Sequence, residues 1–203
     1  MLEELERTLR QAGELTLTES LSVQSKGKSD FVTSVDLAVD RYLRGALPRL
    51  VAGSRVFSEE EADAGDLSGR VFIVDPIDGT TNLMYHMQLS GISCGYAEDG
   101  QLMAAGVYNP FTREMFLAEL GKGATLNGQP IHVNADETLE EAVVGVEAGP
   151  ATAGEGQHAY FERVFALHTR GRGIRFTGSA ALDLCYTACG RFTASVFHYL
   201  YPW

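Results

Sequence analysis

The stretch VFIVDPIDGTTN, Val71 to Asn82, constrains this chain more than any other part of it. Four apolar residues, Val71 to Val74, run straight into Asp75, Pro76, Ile77, Asp78 and Gly79. A short continuous apolar run bounded by turn formers reads as a buried strand. Two carboxylates therefore stand at the tip of an element that belongs in the core. Pro76 fixes its own φ, which predicts a turn after Val74 and lets the two acids converge on one point. An ordinary Asp-Pro turn is the competing reading.

The three-residue separation of Asp75 and Asp78 argues against the D-x-D-G-T pattern of phosphatases with an aspartyl nucleophile, whose acids lie two apart and face one way on extended chain. Two converging carboxylates suit shared cations instead. Magnesium takes oxygen ligands, keeps several waters and needs few from the protein. Gly79, Thr80 and Thr81 then offer backbone N–H groups at the expected opening of a short helix, where an anion can be received. A second acid group, Glu59, Glu60 and Glu61, follows the apolar Val56–Phe57 and reads either as a solvated loop or as further ligands. A third candidate is Asp36, although Thr33 and Asp36 also have the spacing of a helix capping box. The string GISCG, Gly91 to Gly95, matches a nucleophile elbow, but that motif needs a strand–turn–helix setting and here the serine lies inside a strand leading to a hairpin.

Leu2, Leu5, Leu9 and Ala12 recur at helical spacing, and Val39, Tyr42, Leu43, Ala46, Leu47 and Leu50 mark a second helix ending near Pro48 to Gly53. The polar segment Ser22 to Asp30 reads as a loop. Turns at Asp99–Gly100, Gly121–Gly123 and Asn127–Gly128 divide a run of strands into an antiparallel meander. A strand is predicted from Glu141, helices over His158–His168 and Ser179–Gly190, and a last strand near Thr193–Tyr199. Helices, then a meander, then alternating strand and helix predict an α+β layered architecture. The expected division is residues 1–147, an N-terminal half with the acids and an antiparallel sheet, and residues 148–203, the start of a C-terminal half. Glu147 to Gln157, rich in Gly and Ala, is the expected connection between them.

The chain has 203 residues and a formal net charge of −11. Such acidity argues against nucleic acid and against an anionic membrane surface, and no run approaches the roughly 20 apolar residues of a membrane span. An anionic ligand would need a bound cation to attract it. Three cysteines, Cys94, Cys185 and Cys189, with no CxxC, fit a reducing cytoplasm, and Cys185 and Cys189 read as small buried hydrophobes rather than a metal pair. The amphipathic N-terminus shows no signal peptide.

Together these segments resemble the inositol monophosphatase family of magnesium-dependent, lithium-sensitive phosphomonoesterases. VDPIDGTTN at Val74–Asn82 matches its D-P-[IL]-D-G-T-T-N signature, and SEEE at Ser58–Glu61 stands where the family has a Glu-Glu pair. DFVTSVD at Asp30–Asp36, GKGATLNGQPI at Gly121–Ile131 and GSAALDLCYTACGRFTA at Gly178–Ala194 resemble its other landmarks. The resemblance implies an α/β/α/β/α sandwich, a homodimer, a small phosphorylated substrate and two or three Mg2+ ions. It implies that Glu59 and Asp75 hold magnesium with the Ile77 carbonyl, that Asp78 binds a second ion near the substrate hydroxyls, and that Glu60 is a weaker or outlying metal group. It also implies that Thr80, hydrogen-bonded to Asp36, orients the attacking water, that Gly79, Thr80 and Thr81 receive the phosphate, and that Ala180 touches the alcohol portion. The chemistry is self-consistent: one cation lowers the pKa of water and another stabilises the departing oxygen. Carboxylates at 4 Å repel by roughly 1 to 4 kcal/mol per pair, depending on the effective dielectric, and cations cancel that.

Two departures qualify the resemblance. The family continues past Trp203 as W-D-x-A-A-G, so the chain is expected to be a truncated or partial version of a longer protein, with the second ion less well held. Six residues before Trp203, the resembling enzymes carry a Glu that binds inositol hydroxyls, where this chain has Phe197 with His198 beside it. Thr81 and Asn82 favour the inositol branch over those reading D-G-T-K or D-G-T-R. Inositol 1-phosphate is the expected substrate. The alternatives are a sugar phosphate or bisphosphate, or a catalytically impaired regulatory relative.

Overall fold

The computed structural model describes residues 1–25, 31–61, 67–135, 138–148 and 156–203. Helix α1 (Leu2–Thr18) buries Leu5, Leu9, Ala12 and Thr16 along one stripe. A short antiparallel pair, β1 (Val23–Ser25) and β2 (Phe31–Thr33), leads into α2 (Ser34–Ala46). The loop expected over Ser22 to Asp30 is therefore partly strand, and residues 26–30 lie outside those described. The α2 start is the expected capping box, with the Thr33 hydroxyl accepting from the Asp36 N–H and the Asp36 carboxylate accepting from the Thr33 N–H.

Next come β3 (Arg55–Ser58), β4 (Arg70–Asp78), the one-turn helix α3 (Thr80–Met84), β5 (Gly91–Glu98), β6 (Gln101–Asn109), β7 (Glu114–Glu119), β8 (Gly123–Leu126) and β9 (Gln129–Pro130). Strands β3 to β9 form one seven-stranded sheet in chain order. It is antiparallel except where β3 lies parallel to β4. The β5–β6 and β8–β9 turns are closed by Asp99–Gly100 and Asn127–Gly128, all four with positive φ, the backbone that matches the twist of a two-residue hairpin.

The second half holds β10 (Val143–Glu147), α4 (Gln157–Arg170), β11 (Gly173–Arg175), α5 (Ala180–Ala188) and β12 (Ala194–Phe197). Strand β10 pairs in parallel with β11 on one side and β12 on the other. It thus lies before the boundary expected at residue 147, yet its sheet partners lie after it. Most of the expected Glu147–Gln157 connection, residues 149–155, falls outside the described residues.

These elements stack in five layers. Helices α1 and α2 pack on one face of the large sheet, burying Leu5, Leu9, Val39 and Leu43 completely against Phe72, Val74 and Ile92, each worth about 1.5–3 kcal/mol. Gly106 admits this contact, since a Cβ there would lie 2.6 Å from Leu9 Cδ1. On the other face, Phe116 meets Leu182 and Tyr186 of α5. The small sheet covers α5 and is itself covered by α4 through Tyr160 and Val164. The molecule is an α+β protein with the layer order α/β/α/β/α. Among the described residues, no helix is long and apolar enough to cross a membrane.

One expectation fails in an informative place. Pro76 does not end the strand. Strand β4 runs on to Asp78, and its pairing with β5 shifts register between Asp75 and Asp78. A bulge leaves a residue out of the ladder, which accommodates a proline that has no N–H to give it. The bulge, not a turn, sets the relative orientation of the two acids.

Candidate active site

Parallel pairing of β3 with β4 delivers the first acids together. The chain leaving β3 carries Glu59, whose N–H donates to the Val74 carbonyl at 3.1 Å, placing it beside Asp75. The Glu59 and Asp75 side chains stand within hydrogen-bonding reach of each other. Asp75 is buried, and its Oδ1 accepts from the Ile77 N–H at 3.0 Å. Its carboxyl is held well above the usual carboxylate range, first by burial and then by the charges of Glu59, Asp78 and Asp36. Glu60 is half-buried in the following turn, with its N–H 3.5 Å from the Ser58 hydroxyl; it does not line the cavity that Glu59, Asp75 and Asp78 share.

Asp78 ends β4. Its Oδ2 accepts from the Ser179 hydroxyl and from the Ala181 N–H at 2.8 Å. Burial raises its carboxyl, and the Ser179 hydroxyl with the N–H groups of Ala181, Ala180 and Leu182 pulls the other way. The start of α5 thus grips an acid of the large sheet. Ser179 also caps that helix, accepting from the Leu182 N–H. Ala180 lines the same cavity.

Gly79 has φ +87° and precedes α3. A Cβ there would lie 2.8 Å from the Leu89 carbonyl oxygen and 3.1 Å from that of Gly178, so the signature can make its corner only with glycine. Thr80 opens α3, with its hydroxyl 3.0 Å from Asp36 Oδ1 and 3.1 Å from the Ile77 carbonyl oxygen. Asp36 is buried and its carboxyl is raised by that burial, opposed by Thr33, Thr80 and backbone N–H groups. Thr81, next in α3, is exposed. Asn82 is buried and donates to the carbonyls of Leu89 and Thr177, each at 2.7 Å.

The structure therefore brings Asp36, Glu59, Asp75, Ile77, Asp78, Thr80 and Ala180 to one region and leaves Glu60 and Thr81 at its margin. The cavity between the layers measures about 500 Å³, and Glu147 and Ser93 also line it. Sequence reasoning did not single out Ser179, Ala181, Asn82 or Glu147 as functional. The first three act through partners 95 to 103 residues distant, and no local pattern announces such contacts.

Glu59, Asp75 and Asp78 bring carboxylate oxygens to the cavity, and the Ile77 carbonyl lies between the two aspartates in the chain, a set of oxygens that suits a hard divalent cation such as magnesium. Asp75 gives the test of fit. It is buried beside like charges, and among the described residues no Lys or Arg forms an ion pair with Asp36, Asp75 or Asp78. Such a cluster is costly alone and matched by a cation. Among the described residues no three His, Cys, Asp or Glu groups already meet ligand geometry; the acids are gathered round the cavity rather than closed on a point.

The model of the inositol monophosphatase family matches residues 2–203. The inositol-1-monophosphatase of Rhizobium meliloti is 37% identical over 177 residues, which cover 86% of this chain and 65% of that protein's length. The Nus factor SuhB of Pseudomonas aeruginosa is 32% identical over 198 residues, covering 93% and 73%. The structure of the extragenic suppressor protein suhB from Bartonella henselae superposes with a TM-score of 0.85 at 30% identity, over 94% of this chain and 75% of that one. An IMPase of Thermotoga maritima does so with a TM-score of 0.86 at 30% identity, over 100% and 78%. On the signature, the five-layer fold and these likenesses together, the chain belongs to the inositol monophosphatase family.

Proposed function

We propose that the protein hydrolyses a small phosphomonoester with magnesium, inositol 1-phosphate being the preferred candidate and a sugar phosphate or bisphosphate the next. The observation that carries this reading is two devices side by side: Asp75, buried, and Asp78, half-buried, line one cavity with Glu59, and next to them stands a hydroxyl–carboxylate pair at Thr80 and Asp36, with Thr80 also bonded to the Ile77 carbonyl between the two acids.

In this reading Glu59, Asp75 and the Ile77 carbonyl hold one magnesium ion, Asp78 another, and Glu60 contributes from the margin. When bound, magnesium activates a water and neutralises the leaving oxygen. Thr80 orients that water: its hydroxyl proton goes to Asp36 Oδ1 and its free lone pair receives the proton the water loses. Asp36, raised by burial, is the better base for it. The N–H groups after Gly79, with Thr80 and Thr81, receive the phosphate. Asp78 and Ala180 border the alcohol portion, in a cavity of the size that small-molecule sites occupy. Lithium inhibition, a homodimer and a reducing cytoplasm suited to its free cysteines belong to the same reading.

Phosphate release from inositol 1-phosphate, fructose 1,6-bisphosphate and adenosine 3′,5′-bisphosphate, with magnesium and with chelator, tests it. Magnesium-dependent release from the first is the expected result. Release from only the second or third moves the assignment to that class, and no release from any overturns the enzyme reading. Light scattering tests the dimer.

A further inference from the structure

Asp183 lies on α5, entirely buried and outside the cavity that Glu59, Asp75 and Asp78 line. Its Oδ1 accepts from the Thr177 hydroxyl at 2.6 Å. Its Oδ2 makes no hydrogen bond among the described residues. A buried carboxyl with one oxygen unserved is a poor way to stabilise a helix, so its presence asks for another reason.

The hydrogen bonds around it supply one. A threonine hydroxyl has a single proton, and Thr177 has two acceptors for it: Asp183 Oδ1 and the Ser179 carbonyl at 3.2 Å. The shorter bond goes to Asp183. With its proton committed there, Thr177 Oγ1 turns a lone pair to the Ser179 N–H, 3.3 Å away. That fixes the backbone of Ser179, whose own hydroxyl accepts from the Leu182 N–H at 3.4 Å and donates to Asp78 Oδ2. The chain of contacts runs from Asp183 through the Thr177 hydroxyl and the backbone and side chain of Ser179 to Asp78. We propose that Asp183 is a positioning residue for the cation site, holding Asp78 in place through Thr177 and Ser179. A carboxyl here does what an apolar residue of equal volume could not: it holds the Thr177 proton on the side away from Ser179, whereas without it that proton would swing to the Ser179 carbonyl and the lone pair facing the Ser179 N–H would no longer be held in place.

The inference rests on the proposed cation role of Asp78, and the test separates the two. Mn2+ binding to the intact protein, measured by electron paramagnetic resonance, needs no turnover. Loss of a partner behind a metal ligand typically weakens metal affinity about 10- to 100-fold, and Asp183→Ala is expected within that range. Asp183→Asn keeps the Oδ1 acceptor and is expected to return affinity to within about threefold of wild type. Thr177→Val is expected to match Asp183→Ala, and the double variant to add nothing, as for groups acting in series. Thr177→Val also carries the test if Asp183→Ala does not fold. Wild-type affinity in Asp183→Ala or Thr177→Val overturns the inference, as does an Asp183→Asn variant no better than Asp183→Ala. A wild-type protein that binds no Mn2+ overturns the cation reading of Asp78 itself.

Discussion

Thr80 Oγ1 stands 3.0 Å from Asp36 Oδ1, joining side chains 44 residues apart, while Oδ2 of the same carboxylate accepts from the Thr33 N–H at 3.0 Å. One oxygen meets the Thr80 hydroxyl and the other closes the capping box of α2. From the sequence, capping and chemistry look like rival explanations of Asp36. The structure makes them compatible, since capping occupies one oxygen and leaves the other to Thr80. The box anchors the carboxylate so that Thr80 meets it at a fixed angle.

The two roles separate by mutation. Thr80→Val is expected to lower phosphate release by about 10²- to 10⁴-fold, the usual scale for a lost proton-transfer group, with little change in melting temperature. Thr33→Ala removes the cap, about 1 kcal/mol, or roughly 2–4 °C in Tm for a chain of this size. Its activity loss should be far smaller. Parallel melts and phosphate assays of the two variants check this, and equal activity losses would contradict it.

Asp75 gives a pH-dependent prediction. Its carboxyl is held above the ordinary value by burial and by Glu59, Asp78 and Asp36. The sign follows: the folded state binds the proton more tightly than the unfolded chain, so this group favours folding below its unfolded pKa of 3.8, and that contribution is lost as pH rises through the folded value. At pH 7 to 8, in chelator, Asp75→Asn should therefore melt higher than wild type by a few degrees, at about 2–4 °C per kcal/mol. Magnesium should raise the wild-type Tm and leave that of the variant nearly unmoved. Calorimetry with and without magnesium at pH 5 and pH 8 is the measurement; a variant that melts lower in chelator at pH 8 contradicts the prediction.

Asn82 joins the halves of the molecule, reaching Leu89 and Thr177 with one amide. Asn82→Ala strands two carbonyls, each worth about 1–3 kcal/mol if left unsatisfied in a buried position. The expected result is a Tm lower by several degrees and a raised KM, since Gly178 and Ser179 lose their tie to α3. Denaturation and steady-state kinetics report the two effects independently.

Gly79→Ala tests the corner. Its φ of +87° and the 2.8 Å approach to the Leu89 carbonyl oxygen leave a methyl nowhere to go. A strained backbone of this kind costs about 1–3 kcal/mol, and relief by moving Leu89 would displace Thr80. Both Tm and turnover should fall; an unchanged crystal structure at Thr80 with full activity would refute this.

Much of the fold is legible in the chain because the signals are local. The periodic leucines of α1, the capping box of α2 and the Asp99–Gly100 and Asn127–Gly128 turns each specify their own structure within a few residues. What escaped needs distant partners. Strands β1, β2 and β11 are three residues each, too short to carry a pattern, and β4 runs past Pro76 because pairing with β5 outweighs a local stop signal. The acids of the cavity stood out by type and spacing. Ser179, Ala181 and Asn82 did not, because a cap serine, an alanine and an asparagine become remarkable only when the tertiary fold sets Asp78 or Thr177 beside them.

The grip of α5 on Asp78 also bears on the order in which the protein becomes competent. A ribosome that has released residues up to the end of the large sheet has already made Asp36, Glu59, Asp75 and Asp78. Among the described residues, no group of that nascent half hydrogen-bonds the carboxylate of the last of them, whose partners Ser179 and Ala181 come about a hundred residues later. Domains fold as units during synthesis, N-terminal first, so the acids assemble early and wait. The Asp78 carboxylate is held only once α5, made about a hundred residues later, has docked, which builds into the emerging chain a delay between having these acids and having the last of them fixed.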